Sequence, residues 1–201
     1  MIEMNTWIKA FRLRTLPLAF SSILMAAFLA YYSGHFQVLI LVLSLFTTLF
    51  LQVLSNLAND YGDALSGVDG PDRGGPQRSV QSGAITREQM KIAIILCACF
   101  AFISGCILIV YVFKDHWLNL LFFLTLGIGA IAAAIKYTMG SNPYGYSGFG
   151  DIFVFIFFGL VGVFGGYYLF NRELEIIFLL PAISCGLLSV GVSSARLQHM
   201  F

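Results

Sequence analysis

Six long apolar runs, almost free of charge, occupy most of this 201-residue chain. They lie at about 15–34, 37–59, 90–113, 117–136, 152–170 and 176–195. About 20 consecutive apolar residues suffice for a helix to cross the hydrocarbon core of a bilayer. The chain is therefore predicted to be an all-α, polytopic transmembrane helix bundle, one membrane-embedded domain over 1–201 with the lipid bilayer as its main solvent. Only 10% of residues are charged and 59% are hydrophobic, whereas soluble domains average about 25% charged. That contrast excludes a water-soluble globular fold.

Arg12 and Arg14 precede the first run, as in a secretory signal. The run is as long as a full span, and its end, LAYYSGHF, offers no small-x-small cleavage site, so it reads as a retained helix. Sorting the 11 basic residues by alternating loops puts Lys9, Arg12, Arg14, Arg73, Arg78, Arg87, Lys91, Lys136 and Arg196 on the N-terminal side. Only Lys114 and Arg172 fall on the other side. By the positive-inside rule the N-terminus is cytoplasmic, in a cell inner membrane. The net charge of +1 is dispersed among loops and gives no basis for nucleic-acid binding.

The connections are uneven. External turns near residues 35, 115 and 173 are tiny, while the cytoplasmic segments 60–89 and 137–151 are long. Long polar loops on a rigid scaffold are where function concentrates. In the second, Tyr137, Tyr144, Tyr146 and Phe149 surround Pro143; they read either as an interfacial aromatic belt or as the rim of a binding cavity. Small residues (Gly127, Gly129, Ala130 and Ala132–Ala134 in the fourth run, Gly159, Gly162, Gly165 and Gly166 in the fifth) mark surfaces for close helix approach. Cys97, Cys99, Cys106 and Cys185 all lie in predicted spans, read as buried small residues, and have no metal-ligand spacing with histidine.

The chemistry concentrates in 56–83, NLANDYGDALSGVDGPDRGGPQRSVQSG. Asn56, Asp60 and Asp63 are spaced i, i+4, i+7, which lines them on one helix face, with Asn59 beside them. Ionisable groups at membrane depth are costly and generally face a cavity. Acids near a helix C-terminus also oppose the macrodipole. All-oxygen donors of this kind favour Mg2+, which commonly binds one or two carboxylates together with substrate phosphates and stabilises a diphosphate leaving group. Arg73 and Arg78 suit phosphate oxygens through their guanidinium forks, or serve simply as positive-inside charges. Asp69 and Asp72 are further ligand candidates or solvated loop acids. There is no P-loop and no GxSxG elbow, and GYSGFGD follows a membrane helix and not a strand, so it fails as a nucleotide fingerprint.

These residues resemble the UbiA superfamily of intramembrane aromatic prenyltransferases, and within it the branch that prenylates 1,4-dihydroxy-2-naphthoate. The stretches carrying the resemblance are RLRTLP at 12–17, NLANDYGD at 56–63, GPDRGGPQRSVQSG at 70–83 and PYGYSGFGDIFVF at 143–155. The resemblance implies a nine-helix bundle, of which six spans are present here, around a cavity open to cytoplasm and lipid. It also implies transfer of a polyprenyl group from polyprenyl diphosphate to 1,4-dihydroxy-2-naphthoate, with loss of CO2 and diphosphate, to give demethylmenaquinol for menaquinone biosynthesis. Asp60 and Asp63 would be the catalytic acids, and Asn56, Asp60, Asp63 and Asp69 the Mg2+ ligands. Asn56, Arg73, Arg78 and Lys136 would hold the diphosphate. Arg14, Tyr137, Tyr144, Tyr146 and Asp151 would line the acceptor cavity.

Two departures stand out. Ala64 occupies the place of a third acid in the superfamily's general first motif, in keeping with the naphthoate branch. A second acid-rich motif is expected after the sixth helix, yet no carboxylate follows Glu175, and 192–201 is atypical of the family. The expectation is a C-terminally truncated chain, from a frameshift or as a natural short form, that does not turn over. Alternative readings are another aromatic prenyltransferase of the superfamily or a non-catalytic membrane protein such as a transporter.

Overall fold

The computed structural model describes residues 4–66, 78–140 and 143–198, without the side chains of residues 146, 147 and 195–198. Among the described residues every regular element is helical, and six segments are long and apolar enough to cross a membrane: Met4–Tyr32, Val38–Ser66, Arg87–Phe113, Trp117–Lys136, Gly150–Asn171 and Ile176–Ser194. The six expected spans are all there, with three informative differences at their ends.

The first of these segments opens with a separate helix that the apolar run at 15–34 does not reveal. Helix α1 (Met4–Phe11) leads through a left-handed residue, Arg12 (φ 49°, ψ 53°), and a 3-10 turn at Leu13–Thr15 into α2 (Leu16–Tyr32). A non-glycine residue in that conformation costs of order 1–3 kcal/mol, so neighbours must hold it. The Thr15 amide and hydroxyl both donate to the Arg12 carbonyl, at 2.8 and 2.9 Å. Pro17, in the first turn of α2, gives up no intrahelical bond there.

Helix α3 (Val38–Ser66) runs seven residues beyond the expected end at 59, keeping Asp60 and Asp63 helical. Helix α4 (Arg87–Phe113) starts three residues early because Thr86 and Gln89 form a capping box: Gln89 N donates to Thr86 Oγ1 at 3.2 Å, and Thr86 N to Gln89 Oε1 at 3.0 Å. The two helices pack antiparallel, as the pairs Tyr111–Gln37, Ser104–Thr47, Phe100–Phe50 and Lys91–Tyr61 record in order. Helix α5 (Trp117–Lys136) leans on them through Ile131, Ala134 and Ile135 but buries no residue, and a Cβ at Gly127 or Gly129 would touch nothing within 4 Å. Those glycines therefore make none of the close helix contacts expected of them among the described residues.

The fifth span does use its glycines. It starts as α6 (Gly150–Val154), widens into a π-helix over Phe155–Gly165 and ends as α7 (Gly166–Asn171). A Cβ at Gly159 would lie 2.7 Å from the Ala182 carbonyl oxygen, and one at Gly162 would lie 2.8 Å from Ser22 Cβ. Those contacts seat the span against α8 (Leu179–Gln198) and α2. One core cluster, around Ala30, Phe113 and Tyr167, fills the end of the bundle with the short turns; another, around Leu54, Leu57 and Met90, fills the end with the long loops. Phe28, Ile95, Phe122 and Leu188 point outward, as lipid contact requires.

Candidate functional site

The last turns of α3 are gripped on several sides. Asn56 is buried and donates both hydrogens of Nδ2, one to the Phe11 carbonyl and one to Thr15 Oγ1, each at 2.9 Å. This is the clamp that holds the Arg12 break, and it leaves only Oδ1, which accepts from Gln52 at 3.4 Å, to face anything else. Asp60 is 2% exposed, with Oδ2 accepting from Ser79 N at 3.1 Å and Oδ1 from Val80 N at 3.3 Å. One turn on, buried Asp63 forms an ion pair with Arg78, whose Nη1 also donates to the Asn59 carbonyl at 2.7 Å. The expected face of Asn56, Asp60 and Asp63 is thus assembled, and Arg78 joins it.

The second long segment meets the same helix from another side. Thr138, just past α5, directs its hydroxyl to the Ala58 carbonyl at 3.0 Å and to Asn59 Oδ1 at 3.1 Å. Gly62 admits the Thr138 backbone: a Cβ there would sit 2.4 Å from the Thr138 carbonyl oxygen. Tyr137 and Tyr144 pack edge to face at 5.3 Å, Tyr144 stacks on Phe153 at 4.1 Å, and the Tyr144 hydroxyl donates to the Ala133 carbonyl at 2.8 Å. Gly145 and Gly150 close over Tyr137, so a Cβ at Gly150 would lie 2.8 Å from its hydroxyl. Burial pushes the Tyr137 phenol up, with the Asp151 charge adding to it. Burial and then the Tyr137 neighbour push Tyr144 up to about 12. Both are neutral phenols near neutral pH.

Other expected members are not enclosed by these contacts. Arg14 and Lys136 are exposed. Asp151 is exposed and accepts from Ser194 at 3.4–3.5 Å. Asp69 and Arg73, like Asp72, lie outside the described residues, as does the side chain of Tyr146. An apolar cleft of about 230 Å³ between Leu24, Phe28, Tyr31 and Leu41 lies at the short-turn end of the bundle and carries no group suited to this chemistry.

A family model described as the UbiA prenyltransferase family matches residues 19–199. The chain belongs to the UbiA prenyltransferase family. It is similar to proteins named 1,4-dihydroxy-2-naphthoate octaprenyltransferase: 47% identical over 94% of this chain and 61% of the Escherichia coli K12 protein, 46% over 94% and 62% of that from Haemophilus influenzae, and 33% over 98% and 64% of that from Mycobacterium tuberculosis. The chain thus spans about three fifths of the length of the first two of these curated relatives. No solved structure matches it significantly. With six apolar spans, this UbiA family member is a multi-pass membrane protein.

The donor set at the end of α3 suits a hard divalent cation. Asp60 is a buried carboxylate whose hydrogen bonds, among the described residues, come from two neutral backbone N–H groups. Each of its oxygens keeps a further lone pair, and a buried charge with neutral partners favours a cation. Among the described residues no group of three or more His, Cys, Asp or Glu side chains gathers there, so a divalent cation would need oxygens from outside this group to complete its coordination. Sequence reasoning missed Ser79, Val80, Thr138 and Gly62 as site residues. Their role lies in main-chain donors and close backbone approach, for which residue type gives little signal; only the small side chain at Gly62 hinted at it.

Proposed function

We propose that the acid-bearing end of α3 handles the diphosphate in transfer of a polyprenyl group from polyprenyl diphosphate to 1,4-dihydroxy-2-naphthoate, yielding demethylmenaquinol, CO2 and diphosphate in menaquinone biosynthesis. The observation that carries this reading is Asp60, buried at the mouth of a membrane helix, backed by two N–H groups and one turn from the Asp63–Arg78 pair. The printed names of the relatives supply the acceptor. The same reading puts the N-terminus and the two long segments on the cytoplasmic side of the inner membrane, by the distribution of Lys and Arg.

In this account Asp60 and Asp63, with Asn56 and Asp69, would hold Mg2+, which would neutralise the diphosphate as a leaving group. Arg78, Arg73 and Lys136 take up phosphate oxygens. The allylic C–O bond breaks and its electron pair departs with the diphosphate. The ring carbon bearing the carboxylate forms the new C–C bond, and the carboxylate leaves as CO2, returning its bonding pair to the ring. Tyr137, Tyr144, Tyr146, Asp151 and Arg14 border the acceptor side; Tyr137 and Tyr144, as neutral phenols, are not bases there, and the one hydroxyl hydrogen of Tyr144 is held by the Ala133 carbonyl. Equilibrium binding to the purified protein in detergent, with geranyl diphosphate and Mg2+ present, tests this. Tighter binding of 1,4-dihydroxy-2-naphthoate than of 4-hydroxybenzoate is expected. The reverse order would assign another aromatic acceptor, and no Mg2+-dependent diphosphate binding would reject the reading.

A further inference from the structure

We propose that Thr138 is a positioning residue for the diphosphate site, bracing the acid-bearing turn of α3 from behind and coupling the two long loop segments through Asn59. The inference rests on the function proposed above. At about 100° per residue, Ala58 and Gly62 each lie about 160° around the helix from Asp60. Thr138 therefore touches the back of the turn whose front carries the acids.

Three contacts make the brace. Thr138 is 5% exposed, and its single hydroxyl hydrogen is shared between the Ala58 carbonyl and Asn59 Oδ1, at 3.0 and 3.1 Å. Its main chain rests on Gly62, where a Cβ would meet the carbonyl oxygen at 2.4 Å and the carbonyl carbon at 2.7 Å. Asn59, whose side chain Thr138 holds, accepts Arg78 through its own carbonyl at 2.7 Å. The 78–80 segment returns to the front of the helix by donating from Ser79 and Val80 to Asp60. A shift of Thr138 is thus passed to Asn59, to Arg78, and to the main-chain donors that aim Asp60. Thr138 itself faces away from the acids and needs no contact with substrate. Its effect is on where the acids stand, and a misplacement of about 1 Å at a reacting centre can cost about 100-fold.

The test compares Thr138→Val, which keeps the shape and loses the hydroxyl, with Thr138→Ser, which keeps the hydroxyl. Both full-length proteins are purified in detergent, and geranyl diphosphate binding is measured with and without Mg2+. Thr138→Val is expected to weaken Mg2+-dependent binding about tenfold, with Thr138→Ser within about twofold of the unsubstituted protein. Hydrogen–deuterium exchange without metal gives a second readout: Thr138→Val should speed exchange of the amides of 58–66 and of Ser79 and Val80, leaving Ala26–Ala30 unchanged. Binding and exchange both unaltered in Thr138→Val, or Thr138→Ser as impaired as Thr138→Val, would overturn the proposal. Absence of Mg2+-dependent binding in the unsubstituted protein would instead overturn the function on which it rests, and the proposal with it.

Discussion

Gly62→Ala should loosen the whole acid-bearing end without touching a charged group. The new Cβ would stand 2.4 Å from the Thr138 carbonyl oxygen, 2.7 Å from its carbon and 2.8 Å from its Cβ, where ordinary contact begins at 3.4 Å. The atoms it meets first are backbone, so relief requires the 137–139 chain to retreat by about 1 Å. That retreat stretches the Thr138 hydrogen bonds from 3.0 and 3.1 Å to about 4 Å, beyond useful range. Losing this pair costs about 1 kcal/mol and overpacking costs about 1–3 kcal/mol. Alanine's better helix propensity returns up to about 1 kcal/mol. The expected net loss is about 1–3 kcal/mol, or roughly 2–4 °C of melting temperature for each kcal/mol in a chain of this size. Thermal unfolding in detergent, followed by tryptophan fluorescence, measures it. Gly127→Ala is the control, since a Cβ there meets nothing within 4 Å and should cost nothing. Equal melting of the two variants would refute the packing of Thr138 on α3.

Three more outcomes follow from the same contacts. Asn56→Asp puts an oxygen in place of the Nδ2 that donates to Phe11 and Thr15; it should destabilise the protein by about 1–3 kcal/mol and increase proteolysis near Arg12, whereas a residue serving only as a metal ligand would tolerate a carboxylate. Thr86→Ala removes the capping box of α4 and should lower stability by about 1 kcal/mol in the same unfolding assay. Tyr144 favours its neutral form in the folded state, so its contribution is complete below its ordinary value of 10 and fades as pH climbs through about 12. A tyrosinate absorbance titration should show one phenol ionising near pH 12 that Tyr144→Phe lacks.

Much of this architecture is legible in the sequence because hydropathy reports the solvent of a segment, and the solvent here is lipid. The six spans and the shared face of Asn56, Asp60 and Asp63 follow from run length and helical spacing alone. What hydropathy does not report is contact. Gly127 and Gly159 look alike as small residues in apolar runs, yet only Gly159 has a neighbour pressed against it. Hydropathy ends the second span near 59, although α3 runs on to Ser66 and 60–63 are buried by the segments folded around them. The α1 break depends on the side chain of Asn56, which lies 45 residues away. Thr138 gives no local signal because its acceptors are a main-chain carbonyl and an asparagine on a helix about 80 residues earlier.

Asp60 is the residue on which the functional account turns. Asp60→Asn keeps its size while removing the charge and turning an amide donor toward Ser79 N or Val80 N. The decisive measurement is the dissociation constant of geranyl diphosphate with and without Mg2+, taken on folded Asp60→Asn and on the unsubstituted protein. Loss of the Mg2+-dependent component by about tenfold or more is the predicted result, and an unchanged Mg2+-dependent constant in Asp60→Asn would contradict it.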